Sequence, residues 1–284
     1  MIKNILILFM LLTLVGCFNI STELNVNSDG SGTIKQKMLF SQQMRQMVES
    51  ISKMGNSDST QTMNSDAPLL EFDEEELKNR ASNYGEDVEF VSGEPIENEK
   101  WSGFEVTYKF EDIDKLSISG DPSDFTGKTG PMNNDSEEEK DKGKIYRFAF
   151  NEVLGASELK IVTTESLQKE NFEDSNEENE ELIEENPFES MDPSQLEMAK
   201  SFMGDMHFLL KINFNDNIKS TNATFREGDS IILTELDFNE LIENSSELAK
   251  MKNSNIKTKK ELIEAIKKVK GIKMEIQDEI NVRF

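Results

Sequence analysis

The sequence predicts an α+β domain: an antiparallel β-sheet with amphipathic helices packed on it, interrupted by long acidic or polar disordered loops. Three observations carry this. Runs of alternating apolar and polar residues recur along the chain, joined by short turns rich in Gly, Asn and Asp, the period-2 mark of half-buried strands. Between them, apolar residues at helical spacing follow Ser, Thr or Asp with Glu or Gln three residues later, the pattern of a capped helix start. The hydrophobic share is only 36% of 284 residues, which leaves long segments with too little apolar surface to fold.

The elements follow in order. Ile20, Thr22, Leu24 and Val26 alternate, and Ile34, Gln36, Met38 and Phe40 resume the alternation after Asn27-Ser28-Asp29-Gly30-Ser31-Gly32. Asp-Gly between two such runs marks a hairpin, because Gly accepts the positive φ the turn needs. Met44, Met47, Val48, Ile51 and Met54 then fall at helical spacing, with Ser41 as cap and Gly55 as stop. Residues 56–68 are polar and read as a loop. Asp73 opens a second helix, with Glu76 completing a capping box and Phe72 and Leu77 forming a hydrophobic staple. Leu77, Ala81 and Tyr84 give its apolar stripe and Gly85 its end. Strands are expected at Val88 to Val91 and at Phe104, Val106, Tyr108 and Phe110.

Residues 119–144 are a second polar excursion, after which Tyr146, Phe148, Phe150 and then Leu159 and Ile161 suggest a hairpin around Gly155. From Glu170 to Glu189 there are ten carboxylates and no basic residue. Such a run repels itself and buries little, so 170–190 is read as a disordered insertion. Asp192, Pro193 and Gln195 open a helix with Leu196, Ala199, Phe202 and Met203 on its buried face. Met206, Phe208, Leu210, Ile212 and Phe214 form the clearest strand. Short turns then predict a three-stranded antiparallel meander through Ile218 to Phe225 and Ile231 to Leu233. Asp237 with Glu240 opens one helix toward Lys252, and Thr258 with Glu261 opens another that stops near Gly271. Ile272, Met274, Ile276, Ile280, Val282 and Phe284 occupy even positions and predict one apolar strand face broken at Asp278.

The start of the chain has a different character. Lys3 precedes an apolar run of eleven residues, Ile5 to Val15. As a helix it would span roughly 17 Å, against a hydrocarbon core of about 30 Å, so it reads as a signal peptide and not as a membrane span. Its end, Leu14-Val15-Gly16-Cys17, resembles the lipobox of bacterial lipoproteins. The resemblance implies cleavage after Gly16, removal of residues 1–16, and diacylation of Cys17 as the membrane anchor of a single extracytoplasmic domain over 17–284. The other reading is an ordinary signal peptide with an incidental cysteine. Cys17 is the one cysteine of the chain, so once acylated it leaves no thiol for a disulfide.

Charge narrows the partners. The full chain carries a formal −25, and loss of Lys3 with the signal makes the mature chain −26. Such a surface is repelled by nucleic acid and by anionic headgroups. The membrane must therefore be held by acyl chains at Cys17, and two chains suffice where one is marginal.

Candidate chemistry is sparse. The single histidine, His207, falls on the polar face of its strand, and without a second histidine or a free cysteine neither a His/Cys metal site nor a Cys-His pair can form. Asn25, Asn27, Asp29, Gly30 and Gln36 sit at EF-hand spacing, but amides stand where charged ligands are needed; Asp174, Asn176, Glu178 and Glu185 also match, with Asn179 in place of Gly. A carboxylate hydrolase would need two acids converging in a cleft. No catalytic residue, metal ligand or cofactor is assigned. The candidate ligand-binding set is Met44, Met47, Ile51 and Phe208, because methionines adapt to varied apolar shapes between a sheet and its helices. The same methionine stripe is also what ordinary core packing would look like.

Two stretches resemble a family of bacterial lipoproteins that includes the mycobacterial LppM-like group: the lipobox with the following strand, Asp29-Gly30-Ser31-Gly32, strand and helix, and Ile218-Lys219-Ser220-Thr221-Asn222-Ala223 with Glu227-Gly228-Asp229-Ser230-Ile231-Ile232. Leu233 stands where relatives often carry Trp, and the acidic insert and the C-terminal helix–strand unit depart from the pattern. The resemblance implies an extracytoplasmic α+β domain, in some members associated with apolar or lipid ligands, and no catalytic residues. The expectation is a non-enzymatic, lipid-anchored binding or interaction module of the cell envelope, for an apolar ligand or an envelope protein. A structural lipoprotein without a small-molecule ligand is the alternative. Phe18 after the anchor is not the aspartate that resembles an inner-membrane retention signal, which favours the outer membrane in a two-membrane cell.

Overall fold

A computed structural model describes residues 18–45, 72–120, 144–153, 155–163, 200, 204–253, 256 and 258–284. The first hairpin is β1 (Phe18–Val26) and β2 (Gly32–Ser41), followed by helix α1 (Glu74–Arg80), β3 (Glu89–Glu97) and β4 (Trp101–Phe110). Next come β5 (Ser117–Ser119), β6 (Ile145–Val153), β7 (Ala156–Thr163) and β8 (His207–Phe214). The remainder is β9 (Ser220–Thr221), β10 (Arg226–Glu227), β11 (Ser230–Asp237), helices α2 (Phe238–Glu243), α3 (Ser245–Asn253) and α4 (Lys259–Ile266), then β12 (Ile272–Met274) and β13 (Glu279–Arg283). The α+β class is as the sequence predicts, with antiparallel pairing dominant.

The strands form two sheets where one was expected. The larger runs β10-β11-β8-β1-β2-β4-β3, with β12 added to β11, and the smaller runs β5-β6-β7-β13-β9. Within the larger sheet β1 pairs antiparallel with β2, Phe18 opposite Phe40, and parallel with β8, Ile20 opposite Phe208. One face of β1 is buried and the other half-exposed along its whole length, so the alternation read from the sequence is the burial pattern of the sheet. Ile20, Leu24, Ile34, Met38, Val106, Leu210 and Ile212 fill the inner face.

The β1–β2 turn joins the sheets. Gly30 has φ +81, and a Cβ there would lie 2.8 Å from the Phe150 ring of β6, so the turn needs glycine twice over, for conformation and for space. Around it Ile113 N donates to Gly30 O at 3.0 Å and Ser157 Oγ to Ser28 O at 2.6 Å. Phe284 bridges the same seam, its ring centroid 4.7 Å from that of Phe214 and 6.4 Å from that of Phe150.

α1 packs on the inner face through Leu77, whose carbonyl accepts the Tyr108 hydroxyl at 2.9 Å. Burial pushes that hydroxyl's pKa up to about 12, so it remains a donor. Asp73 caps the helix, taking Glu75 N at 2.9 Å and Glu76 N at 3.1 Å. The expected reciprocal bond from Glu76 is replaced: its carboxylate takes Arg80 Nη2 at 2.6 Å, an i,i+4 pair. In α4 both halves of the Thr258–Glu261 box form.

Three expectations need correction. Ile218 to Phe225 is not the middle strand of a meander, because β11 pairs with β8 directly and only Ser220–Thr221 is a strand, in the other sheet. The segment crosses between sheets, with Ile218 N held by Asp229 Oδ1 at 2.9 Å. The helix from Asp237 breaks at Asn244 into α2 and α3, Asn244 Nδ2 donating to the Glu240 carbonyl at 2.8 Å. The C-terminal run is two strands in two sheets: Met274 is 38% exposed while Glu275 is fully buried, so the even-position face does not continue through them. The helix predicted over Met44 to Met54 is described only as a helical turn at 42–45. Residues 56–68, 170–190 and the helix from Asp192 lie outside the described residues, apart from Lys200, as does most of 119–144.

Close pairing between β2 and β4 sets one prediction. A Cβ on Gly103 would lie 2.0 Å from the Met38 carbonyl oxygen, a backbone atom that cannot swing away. Gly103→Ala should lower stability by about 3 kcal/mol or more, read as a shift of the urea midpoint. An unchanged midpoint would contradict the register.

Candidate functional site

Phe18, the residue after Cys17, is the first residue of β1, so chain position ties the proposed anchor to the centre of the larger sheet; Cys17 itself lies outside the described residues. Met44 is buried at the end of that sheet, its N–H donating to Ser41 Oγ at 3.1 Å, so Ser41 caps the turn as expected. Phe208 is 1% exposed in β8, opposite Ile20 on one side and Leu236 on the other. Met44 and Phe208 belong to one packed hydrophobic cluster. Met47 and Ile51 lie outside the described residues.

Two clefts among the described residues have mixed polar and apolar walls, and neither is lined by Met44 or Phe208. The larger, about 770 Å³, opens at the seam between the sheets beside Ser28, Asp29, Ser157, Asp216, Lys219 and Phe284. Its polar groups hold turns together. Lys219 Nζ donates to Phe284 O at 3.2 Å and Gly155 O at 3.3 Å. Asp29 accepts from Ser31 Oγ at 2.7 Å and Ser31 N at 3.0 Å, and those bonds hold its carboxyl below the usual range. The second cleft, about 520 Å³, runs along α4 beside Thr258, Glu261, Glu264 and Lys268. Among the described residues no group of three or more His, Cys, Asp or Glu converges as a metal site. The first calcium-like spacing is hairpin: Asn25 Nδ2 donates to Thr33 Oγ1 at 3.2 Å and Asn27 Nδ2 to Ser31 Oγ at 2.9 Å. The second lies outside the described residues.

The outer face of the larger sheet is a lattice of cross-strand polar pairs, produced by the polar half of each alternation. Glu105 bridges Lys35 at 2.6 Å and Lys37 at 3.1 Å, and Asn213 links Glu23 and Asn25. His207 is half-buried on this face, as the sequence placed it, with Nε2 3.4 Å from Glu235. Lys273 lies between Glu235 at 2.8 Å and Glu227 at 2.6 Å. The hydrogen bond from His207, with that from Lys273, outweighs burial and lowers the Glu235 pKa from 4.5 to about 2. A folded-state pKa below the unfolded value stabilises the fold above pH 4.5, and that contribution is lost as pH falls toward 2. Glu235→Gln should therefore remove on the order of 2 kcal/mol at neutral pH and flatten the acid-unfolding curve between pH 4.5 and 2. An acid limb identical to that of the parent would refute it.

Two buried polar groups were not singled out by sequence reasoning. Thr22, on the inner row with Gln36 and Leu210, is fully buried and its Oγ1 has no hydrogen-bond partner among the described residues. Alternation marks it as inward, but nothing in the sequence shows that its hydroxyl is left unpaired. Glu275 is fully buried and accepts from Thr224 N at 2.6 Å, Thr224 Oγ1 at 2.7 Å, and Ile276 N and Gln277 N at 3.0 Å each. It fastens the inter-sheet crossing to the chain between β12 and β13.

No family model matches the chain. No curated protein matches it either. Among solved structures, the chain is distantly similar to the folded domain of LppM from Mycobacterium tuberculosis, determined by NMR, at 10% identity and a TM-score of 0.28 over 78% of this chain and 83% of that one. At that level no residue correspondence is transferable. Among the described residues no helix is long and apolar enough to cross a membrane.

Proposed function

We propose that the protein is a lipid-anchored lipoprotein of the cell envelope, held through acylated Cys17, whose domain binds a partner and does not transform a substrate. The observation that carries the reading is Leu14-Val15-Gly16-Cys17, ending a run too short to span a bilayer. The direct join of Cys17 to Phe18 of β1 supports it, since the proposed cleavage point lies immediately before a strand of the larger sheet. Of the two kinds of partner, an envelope protein is favoured: Met44 and Phe208 pack into the core, and neither cleft described above is lined by them. In a two-membrane cell the proposed site is the outer membrane.

Cys17→Ser tests the anchor. The variant should lose acyl mass from its N-terminal peptide, move from the detergent phase to the aqueous phase, and persist as uncleaved precursor or soluble product. Detergent partitioning equal to that of the parent, with the peptide mass unaltered apart from the substitution, would overturn the proposal.

A further inference from the structure

Resting on the proposed acylation of Cys17, we propose that the end of the larger sheet carrying Phe18, Phe40 and Trp101 sits directly on the lipid surface, with the Trp101 indole in the headgroup layer. The reason is the absence of slack. β1 begins at Phe18, and Phe18 is already paired with Phe40 while Asn19 is paired with His207 on the other side. Consecutive Cα atoms are about 3.8 Å apart, and a headgroup layer is roughly 5–8 Å deep. An acyl anchor on Cys17 therefore draws the end of a strand that is fixed on both sides into or against that layer.

The register brings Trp101 to the same end. Phe18 pairs with Phe40, Phe40 pairs with Ser102, and Trp101 precedes Ser102, one step further toward the end where β1 starts. Two strand spacings and one step put its Cα about 10 Å from that of Phe18. Its place is rigid. Asn98 Oδ1 accepts from Trp101 N at 2.9 Å and Lys100 N at 3.0 Å, and Gln42 N donates to Lys100 O at 3.0 Å, so the turn before β4 is latched to the end of β2. The side chain is half-buried, with Lys100 Nζ 5.3 Å from its ring centre. An amphipathic indole beside a lysine stem suits an interface that is apolar on one side and wet on the other.

Charge supports an upright pose. Among the described residues, the cations Lys100 and Arg45 at this end are paired, with Asp205 at 2.8 Å and Glu97 at 3.3 Å. The mature chain's large negative charge repels anionic lipid, which disfavours laying the flanks of the domain on the membrane.

Trp101 is the single tryptophan of the chain, so its fluorescence reports this one place. The acylated full chain is reconstituted in phosphatidylcholine–phosphatidylglycerol vesicles with lipid brominated near the top of the acyl chain, and vesicle flotation is recorded in parallel. A second acylated chain carries about fifteen Gly/Ser residues inserted between Cys17 and Phe18, a reach of roughly 20 Å. Both should float. Bromolipid should quench the direct chain about twofold and leave the spacer chain nearly unquenched. If both float and neither is quenched, the seating is wrong and the lipid anchor stands. Equal quenching of both would overturn the claim that the missing spacer sets the pose. Failure of the direct chain to float would overturn the anchor reading beneath it.

Discussion

Truncation after Gly271 is expected to unfold the domain. It removes β12 and β13, and β13 lies between β7 and β9 near the middle of the smaller sheet, where Ile280, Val282 and Phe284 are at most 2% exposed. Each such side chain contributes roughly 1.5–3 kcal/mol as an upper bound, against a total stability of about 5–15 kcal/mol. Losing β13 also removes the Phe284 ring from the seam with Phe214 and Phe150, so the larger sheet is affected as well. Deleting residues 174–185, in the acidic run, should leave the midpoint nearly unchanged. Urea denaturation of both non-acylated chains is the measurement. A truncated chain with the parent's midpoint would mean that β13 is a detachable strand available to a partner.

Glu275→Ala should be the most damaging single substitution among the polar residues described. It strands the Thr224 N–H and hydroxyl and the Ile276 and Gln277 N–H groups, which now share one buried carboxylate. Removing one partner of a buried charged network leaves the others dehydrated and unpaired, at about 3–5 kcal/mol. Glu275→Gln retains one acceptor oxygen but turns an amide donor toward other donors, so its loss should be intermediate. The loss should appear first as amide exchange at Thr224 and Ile276 and then in the midpoint. A midpoint shift below about 1 kcal/mol would mean the crossing does not depend on this clasp.

The local elements were readable because their causes are local. The β1–β2 hairpin followed from Asp29-Gly30 between alternating runs, the β6–β7 hairpin from Gly155, and the start of α4 from Thr258 and Glu261. What escaped were decisions made by distant partners. Nothing in Met206 to Phe214 says that β8 will lie parallel to β1, or that Ile218 to Phe225 will leave the sheet. The last thirteen residues show the limit of periodicity: the even positions alternate in sequence, yet the chain changes sheets at Ile276, and Glu275 turns inward while Met274 turns out. His207 was placed on the polar face of its strand, where it lies; of the candidate set, Met44 and Phe208 pack in the core cluster, while Met47 and Ile51 lie outside the described residues. Buried polar groups such as Thr22 and Glu275 have no periodic signature, because their burial depends on what packs opposite them.

The central place of β1 has a consequence for how the chain reaches its fold. Its parallel partner is far along the sequence: Asn25 and Asn213 meet across 188 residues. Closing a loop of that length carries a chain-entropy penalty on the order of 5 kcal/mol, and folds dominated by such pairings form in milliseconds to seconds, not microseconds. A chain exported N-terminus first, as proposed, would present β1 and β2 long before β8 arrives, and would complete the smaller sheet only after β13 has crossed. Until then one edge of β1 would be an open row of backbone donors and acceptors. Under the proposed export, assembly of this domain would wait for the end of translocation, and during that interval something other than its own sheet would have to keep that edge from pairing with a neighbour.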